Sequence, residues 1–155
     1  MVVLRQSAMA CLLALMLFPG CGGEGKDDLS KERLASMAGG VLKDVVPVSG
    51  TVLVDGAPVE GVFISIHDEA GGAPIKTTKT DKDGKYCWAT NVSCDGLEPG
   101  NYLLSFKYMP NMNPKKDAAP DLFKGKYKSP KKNEYKLTVA AGAPQADVKY
   151  ELTTK

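Results

Sequence analysis

From residue 47 onward the chain alternates inward and outward residues with a period of two, the spacing of a β-strand that buries one face. In the run VSGTVLV, Val48, Val52 and Val54 fall on one side with Gly50. Comparable runs at 59–67, 75–80, 85–90, 101–108, 135–139 and 147–152 predict six further strands. Seven short strands without an amphipathic helix among them are typical of an all-β Greek-key β-sandwich, with an open barrel as the alternative.

Turn residues separate these strands. Asp55-Gly56 predicts a tight turn, and the run 81–84 (DKDG) predicts a hairpin turn, because Asp-Gly tolerates the positive φ that such turns need. The strand at 75–80 is short and polar, which predicts a sheet edge, and Lys76 and Lys79 discourage its pairing with another chain. The predicted core between the sheets includes Val62, Ile64, Tyr86, Tyr102 and Leu104.

Length and charge limit the range of functions. The chain has 155 residues, which suits one domain, and a formal net charge of +2, which gives no indication of a nucleic-acid partner. It contains one histidine, whereas many catalytic and metal sites need two or more. We therefore expect no enzyme, no metal and no cofactor.

The N-terminus is organised as an export signal. Arg5 precedes an apolar run at 8–18, which is too short to span a membrane and matches a signal-peptide core. The following FPGCGG resembles the lipobox of bacterial lipoproteins, in which the cysteine is acylated and becomes the mature N-terminus; here this is Cys21. Phe18 stands where that family prefers Leu. An ordinary signal peptide cut near Gly20 or Gly23, or an uncleaved anchor, is the alternative.

These features divide the chain into three parts: a signal peptide at 1–20, a lipidated cysteine and flexible tether at 21–45, and a folded domain at 46–155. The tether is rich in glycine and charge, and residues 30–37 predict a short helix capped by Ser30. The expected location is the bacterial cell envelope, at the periplasmic or outer surface, with the membrane as a partner through the lipid anchor.

Three motifs within the domain resemble the transthyretin-like, carboxypeptidase regulatory-like family. They are Gly50 to Gly61, Thr80 to Tyr86 (TDKDGKY) and Leu97 to Tyr102 (LEPGNY), and they occur in the order found in that family. The later segment at 124–152 resembles the tail of small transthyretin-like lipoproteins of Planctomycetes. The resemblance implies a prealbumin-like sandwich. Relatives that hydrolyse 5-hydroxyisourate use several histidines and a C-terminal Tyr-Arg-Gly-Ser, which this chain lacks, so that activity is not expected.

Cys87 and Cys94 enclose six residues and predict a disulfide, because an exported chain reaches an oxidising compartment. The spacing does not suit paired zinc thiolates or a redox Cys-x-x-Cys motif. Asp81 and Asp83 begin like a calcium loop, but Lys85 and Val92 occupy later ligand places, which favours a plain turn.

The stretch 107–136 contains nine lysines and three acidic residues. One interpretation is a basic, aromatic surface for an anionic lipid, a wall polymer or an acidic protein; the other is a solvated loop whose aromatic residues pack onto the sandwich. The candidate surface residues are Lys124, Lys126, Tyr127, Lys128, Lys131 and Lys132.

The function expected from these features is a non-catalytic, lipid-anchored envelope protein that binds or scaffolds an envelope protein or glycan. The first alternative is a carbohydrate- or polymer-binding module, with an exposed Trp88 and tyrosines stacking on sugars. The second is an enzyme that pairs His67 with a carboxylate, although His67 between a strand and Asp68-Glu69 is also typical of a surface histidine.

Overall fold

The computed structural model describes residues 31–37, 39–110 and 119–155, which form one short helix and eight strands. The helix α1 is Lys31–Met37. The strands are β1 (Val48–Val54), β2 (Ala57–Pro58), β3 (Val62–His67), β4 (Lys76–Lys79), β5 (Lys85–Cys87), β6 (Gly100–Tyr108), β7 (Lys136–Val139) and β8 (Gln145–Leu152). The signal peptide, Cys21 and Ser30 lie outside the described residues. Within the described part of the chain, no helix has the length and apolar character needed to cross a membrane.

The strands form two sheets of four, an architecture compatible with a β-sandwich. In the first sheet, β1 pairs along one side with β2 and β5 and along the other side, in parallel, with β8. The second sheet has the order β4-β3-β6-β7, and all its pairs are antiparallel. The expected edge position of the polar strand is confirmed, since β4 pairs only with β3 within this sheet.

The inner faces of both sheets meet in one core. β1 alternates between buried and half-buried residues throughout, with Val48, Gly50, Val52 and Val54 buried, as its sequence predicts. Of the five predicted core residues, Val62, Ile64, Tyr86 and Leu104 are buried, and Tyr102 is half-buried against the cluster. The hydrophobic stabilisation therefore comes from side chains of both sheets, at about 25 cal/mol per Å² of apolar surface removed from water.

Three local predictions differ from the structure. The turn at 81–84 forms, with the amide of Gly84 donating to the carbonyl of Asp81 at 3.0 Å, but the strands it joins lie in different sheets and make no hairpin. The strand predicted at 85–90 ends at Cys87, because the chain then bends into the disulfide loop. The eighth strand is the two-residue β2, which pairs with the end of β1.

Candidate ligand-binding cleft

The outer face of β3 places polar side chains in line across the second sheet. Phe63, Ser65 and His67 alternate with the core residues Val62, Ile64 and Ile66 of this strand and lie on its outer side. Ser65 lies opposite Thr77 of β4 and opposite Ser105 of β6. Three hydroxyl side chains on neighbouring strands therefore form one row, and the Oγ of Ser65 and the Oγ1 of Thr77 are 2.8 Å apart.

His67 joins this row through its imidazole. Its Nδ1 lies 2.8 Å from the carbonyl oxygen of Gly72, and its Nε2 lies 2.8 Å from the Oγ of Ser105. Since a carbonyl only accepts, Nδ1 carries a proton, and in the neutral ring Nε2 accepts from the Ser105 hydroxyl. The loop that supplies Gly72 is itself held by Asp68, whose carbonyl and carboxylate accept from the amides of Gly71 and Gly72.

The prediction that His67 is a surface histidine is therefore wrong. His67 is 4% exposed, because the loop at 71–74 folds over it. Its imidazole partners among the described residues are a peptide carbonyl and a hydroxyl, and Asp68 is occupied in holding the loop. The structure thus provides no support for the predicted pairing of this histidine with a carboxylate.

A cleft of about 430 Å³ opens above this row. Its volume lies within the range of about 300–1,000 Å³ that is usual for small-molecule sites. Two of its lining residues are lysines, one on β6 and one on the segment at 119–135, and none of the described lining residues is acidic. The lining residues are Phe63, Ser65, His67, Pro74, Thr77, Ser105, Phe106, Lys107, Met109 and Lys128.

The contact between Ser105 and His67 has part of the geometry of a nucleophile and its base. A peptide carbonyl takes the place of the carboxylate that usually orients such a histidine. The amides of Leu104 and Phe106 donate to carbonyls of the segment at 119–135, and the alternation of strand hydrogen bonds turns the amide of Ser105 toward β3. The backbone amides on either side of Ser105 therefore already donate to the segment at 119–135 and are not available to stabilise an oxyanion.

The predicted disulfide is present between Cys87 and Cys94, whose Cα atoms are 5.2 Å apart. The loop it closes is also held by Asp95, whose carboxylate accepts from the backbone amides of Thr90, Asn91 and Val92 at 2.6, 2.8 and 3.1 Å. Burial acts to raise the pKa of Asp95, but these hydrogen bonds outweigh it and hold that pKa below its usual value.

The prediction that Trp88 is exposed and stacks on sugars is wrong. Its side chain is 1% exposed and packs in the core, edge to face with Tyr86. Its indole N–H has no hydrogen-bond partner among the described residues. Trp88 is therefore a core residue and cannot form a sugar-stacking platform in this fold.

The residues of the candidate basic surface differ in their exposure. Its five lysines are exposed, but Tyr127 is 8% exposed and packs edge to face on Phe106 and Phe123. Lys126 donates to the hydroxyl of Thr153, and Lys128 lines the cleft. The side chain of Lys131 lies against Gly71, where an added Cβ would come within 2.8 Å of the Cε of that lysine. Part of the original stretch, residues 111–118, lies outside the described residues, as does the lipidation residue Cys21.

The sequence contains a signal for the cleft that the strand prediction did not use. Alternation placed His67 and Ser65 on the outer side of β3, and Ser105 also falls on the outer parity of β6. A histidine and two serines at outer positions indicate a polar face, but their mutual contacts depend on the register of β3 and β6, which is not a local property of either strand.

No family model and no curated protein matches this chain. Among solved structures, it is similar to a crystal structure of (S)-allantoin synthase, at 14% sequence identity and a TM-score of 0.33. That similarity covers 72% of this chain, but the chain spans only 43% of the length of that protein. A likeness this weak does not bear on the function of the chain.

Proposed function

We propose that this chain is a non-catalytic, lipid-anchored protein of the bacterial cell envelope whose β-sandwich module binds a partner in the cleft above β3, β4 and β6. The observation that carries the binding role is the construction of the cleft. Hydroxyl groups, an oriented imidazole and two lysines surround a volume suited to a small ligand, while the amides that flank Ser105 already donate to backbone carbonyls.

The membrane location rests on the sequence at residues 8–21. An apolar run followed by FPGC resembles a lipobox, and an acylated Cys21 carrying two or three chains would hold the domain at a membrane without a spanning helix. The segment between Cys21 and β1 would then act as the tether.

The finer fold proposed is a Greek-key sandwich of the transthyretin-like, carboxypeptidase regulatory-like type. Its support is the position of the three motifs along the strands. The first spans β1 and β2, the second covers the connection from β4 to β5, and the third leads into β6. The motif residues that form turns include Gly56 and Gly84, both with positive φ.

The anchor is tested by expressing the full chain in a bacterial host fed with an alkyne-labelled fatty acid. We expect label on the wild type and on Cys11→Ser, which changes a residue of the discarded core, but none on Cys21→Ser. Intact mass should place the mature N-terminus at Cys21. Label that survives Cys21→Ser, or a mature chain that begins elsewhere, would overturn the anchor.

The non-catalytic character is tested with a fluorophosphonate probe, which modifies activated serines. We expect no adduct on Ser105, since the flanking amides of Leu104 and Phe106 already donate to carbonyls of the segment at 119–135. A stoichiometric adduct that disappears in Ser105→Ala, and is lost also in His67→Gln with the fold retained, would replace the binding proposal with an acyl-transfer enzyme.

A further inference from the structure

The row of hydroxyl side chains along the bottom of the cleft has a length and chemistry suited to binding a sugar ring. Thr77, Ser65 and Ser105 lie on three adjacent strands, so the row extends over about 10 Å at the usual strand spacing. The hydroxyls of Ser65 and Thr77 bond to each other, and that of Ser105 bonds to His67. Each hydroxyl has one donor and two acceptor sites, so the row keeps acceptor capacity for the hydroxyl groups of a ligand.

The cleft also has an apolar side. Phe63 is half-buried beside the row, and Pro74 and Met109 line the same space. Aromatic and aliphatic side chains pack against the C–H face of a sugar ring, whereas a plain inorganic ion would gain nothing from them. The lining therefore favours a ligand with both hydroxyl groups and a carbon skeleton.

The charge of the lining is positive. Lys107 lies directly opposite Phe63 in the register of β3 and β6, and Lys128 enters from the segment at 119–135. Both side chains are exposed, and none of the described residues that line the cleft supplies a carboxylate to neutralise them. A ligand that carries a carboxylate or phosphate would complete this arrangement.

We infer that the cleft binds a sugar ring that carries an anionic group, with the ring over Phe63, its hydroxyls on the row of Thr77, Ser65 and Ser105, and its charge at Lys107 and Lys128. This inference rests on the proposed function, because it names the ligand class of the same cleft. It needs no tryptophan platform, and it uses only one of the five lysines in the basic surface that the sequence suggested.

The test uses the full-length chain in detergent and the one histidine as its reporter. Because the chain has a single histidine, the imidazole Hε1 resonance belongs to His67 without further assignment. Glucuronate, glucose 6-phosphate and glucose are titrated, with acetate and inorganic phosphate as sugar-free anions. We expect a saturable shift with at least one sugar anion, at a Kd of about 1 mM or tighter, and no saturation with glucose, acetate or phosphate.

Variants separate a built site from general charge attraction. Lys107→Gln should weaken binding about tenfold, as expected for the loss of one charge-assisted contact, and Ser65→Ala should weaken it with an unchanged melting temperature. Lys124→Gln removes the same charge from an exposed lysine that does not line the cleft, and it should leave the affinity unchanged.

The choice between carboxylate and phosphate follows from which sugar anion saturates. No saturable shift with either sugar anion, equal binding of glucose, or equal weakening by Lys107→Gln and Lys124→Gln would overturn the inference. Fatty-acid labelling of Cys21 is measured independently, so a failure of the sugar titration does not decide whether the protein is anchored.

Discussion

Reduction of the bond between Cys87 and Cys94 should lower the stability of the domain by a magnitude that can be worked out from the loop. The two cysteines are seven residues apart, and closing a loop of this length removes chain entropy from the unfolded state worth about 2.5 kcal/mol at 25 °C. The carboxylate of Asp95 and the hydrogen bond from the amide of Gly96 to the carbonyl of Trp88 remain after reduction. The folded loop should therefore keep its shape. The free energy of unfolding should then fall by the full entropy that the unfolded chain regains.

Trp88 makes this measurable. It is the single tryptophan and is buried, so the wavelength of its emission reports unfolding. In urea titrations, the free energy of unfolding should fall by about 2.5 kcal/mol for Cys87→Ser/Cys94→Ser, with a melting temperature about 10 °C lower. The m-value should rise slightly, because the unfolded chain without the cross-link exposes more surface.

Adding reductant to the wild type should reproduce the result of the double variant, while the reductant should not change the double variant itself. Equal urea midpoints for the wild type and the double variant would refute the reasoning, since the disulfide would then not reduce the conformational entropy of the unfolded chain. A much larger loss, with changed near-ultraviolet circular dichroism, would contradict the argument that the hydrogen bonds hold the loop in the folded state.

Two further predictions concern stability. Gly50→Ala should lower the free energy of unfolding by about 3 kcal/mol, because the new Cβ would collide with the carbonyl of Val148 on β8. Gly56→Ala should lower it by about 1 kcal/mol, since the space around that turn is open and only the positive φ of residue 56 is strained. Thermal melts of the two variants test this difference. Burial raises the pKa of Tyr150 to about 12 and also raises the pKa of Tyr86. The two tyrosines therefore stabilise the folded state in full below pH 10, and this stabilisation is lost as the pH rises from about 10 toward 12. Each should cost about 1.4 kcal/mol per pH unit in that window, and urea titrations at pH 9 and 11 should show a smaller loss for Tyr150→Phe than for the wild type.

Alternation was sufficient for β1 and β3 because each has one face in the core, and a period of two fixes which residues point inward. It was not sufficient for the pairing of strands. The parallel contact of β1 with β8 joins the beginning and the end of the domain, and nothing within either strand specifies it. Likewise, the run at 81–84 specifies a tight turn but not whether the next strand returns to the same sheet.

The error at Trp88 has a different origin, because the sequence already held the information to avoid it. Tyr86 was predicted to be a core residue, and Trp88 has the same parity two positions later, so an inward Tyr86 implies an inward Trp88 while the chain stays extended. His67 is the opposite case. Its strand position indicated an outer side chain correctly, but its burial depends on a loop of glycines and Pro74 whose path over the sheet no local pattern predicts.

The disulfide loop also holds the chain segment that leads into β1. The side chain of Asn91 accepts from the amide of Lys43 and donates to its carbonyl, both at 2.9 Å, and the next contact along the chain is the bridge between Val46 and Leu97. The chain then enters β1, which is paired on both sides. A load applied along the chain from Lys43 toward β1 would therefore act on these loop contacts before it reached β1. The cleft lies on the outer face of the other sheet, and none of residues 39–47, which lead into β1, is among the residues that line it.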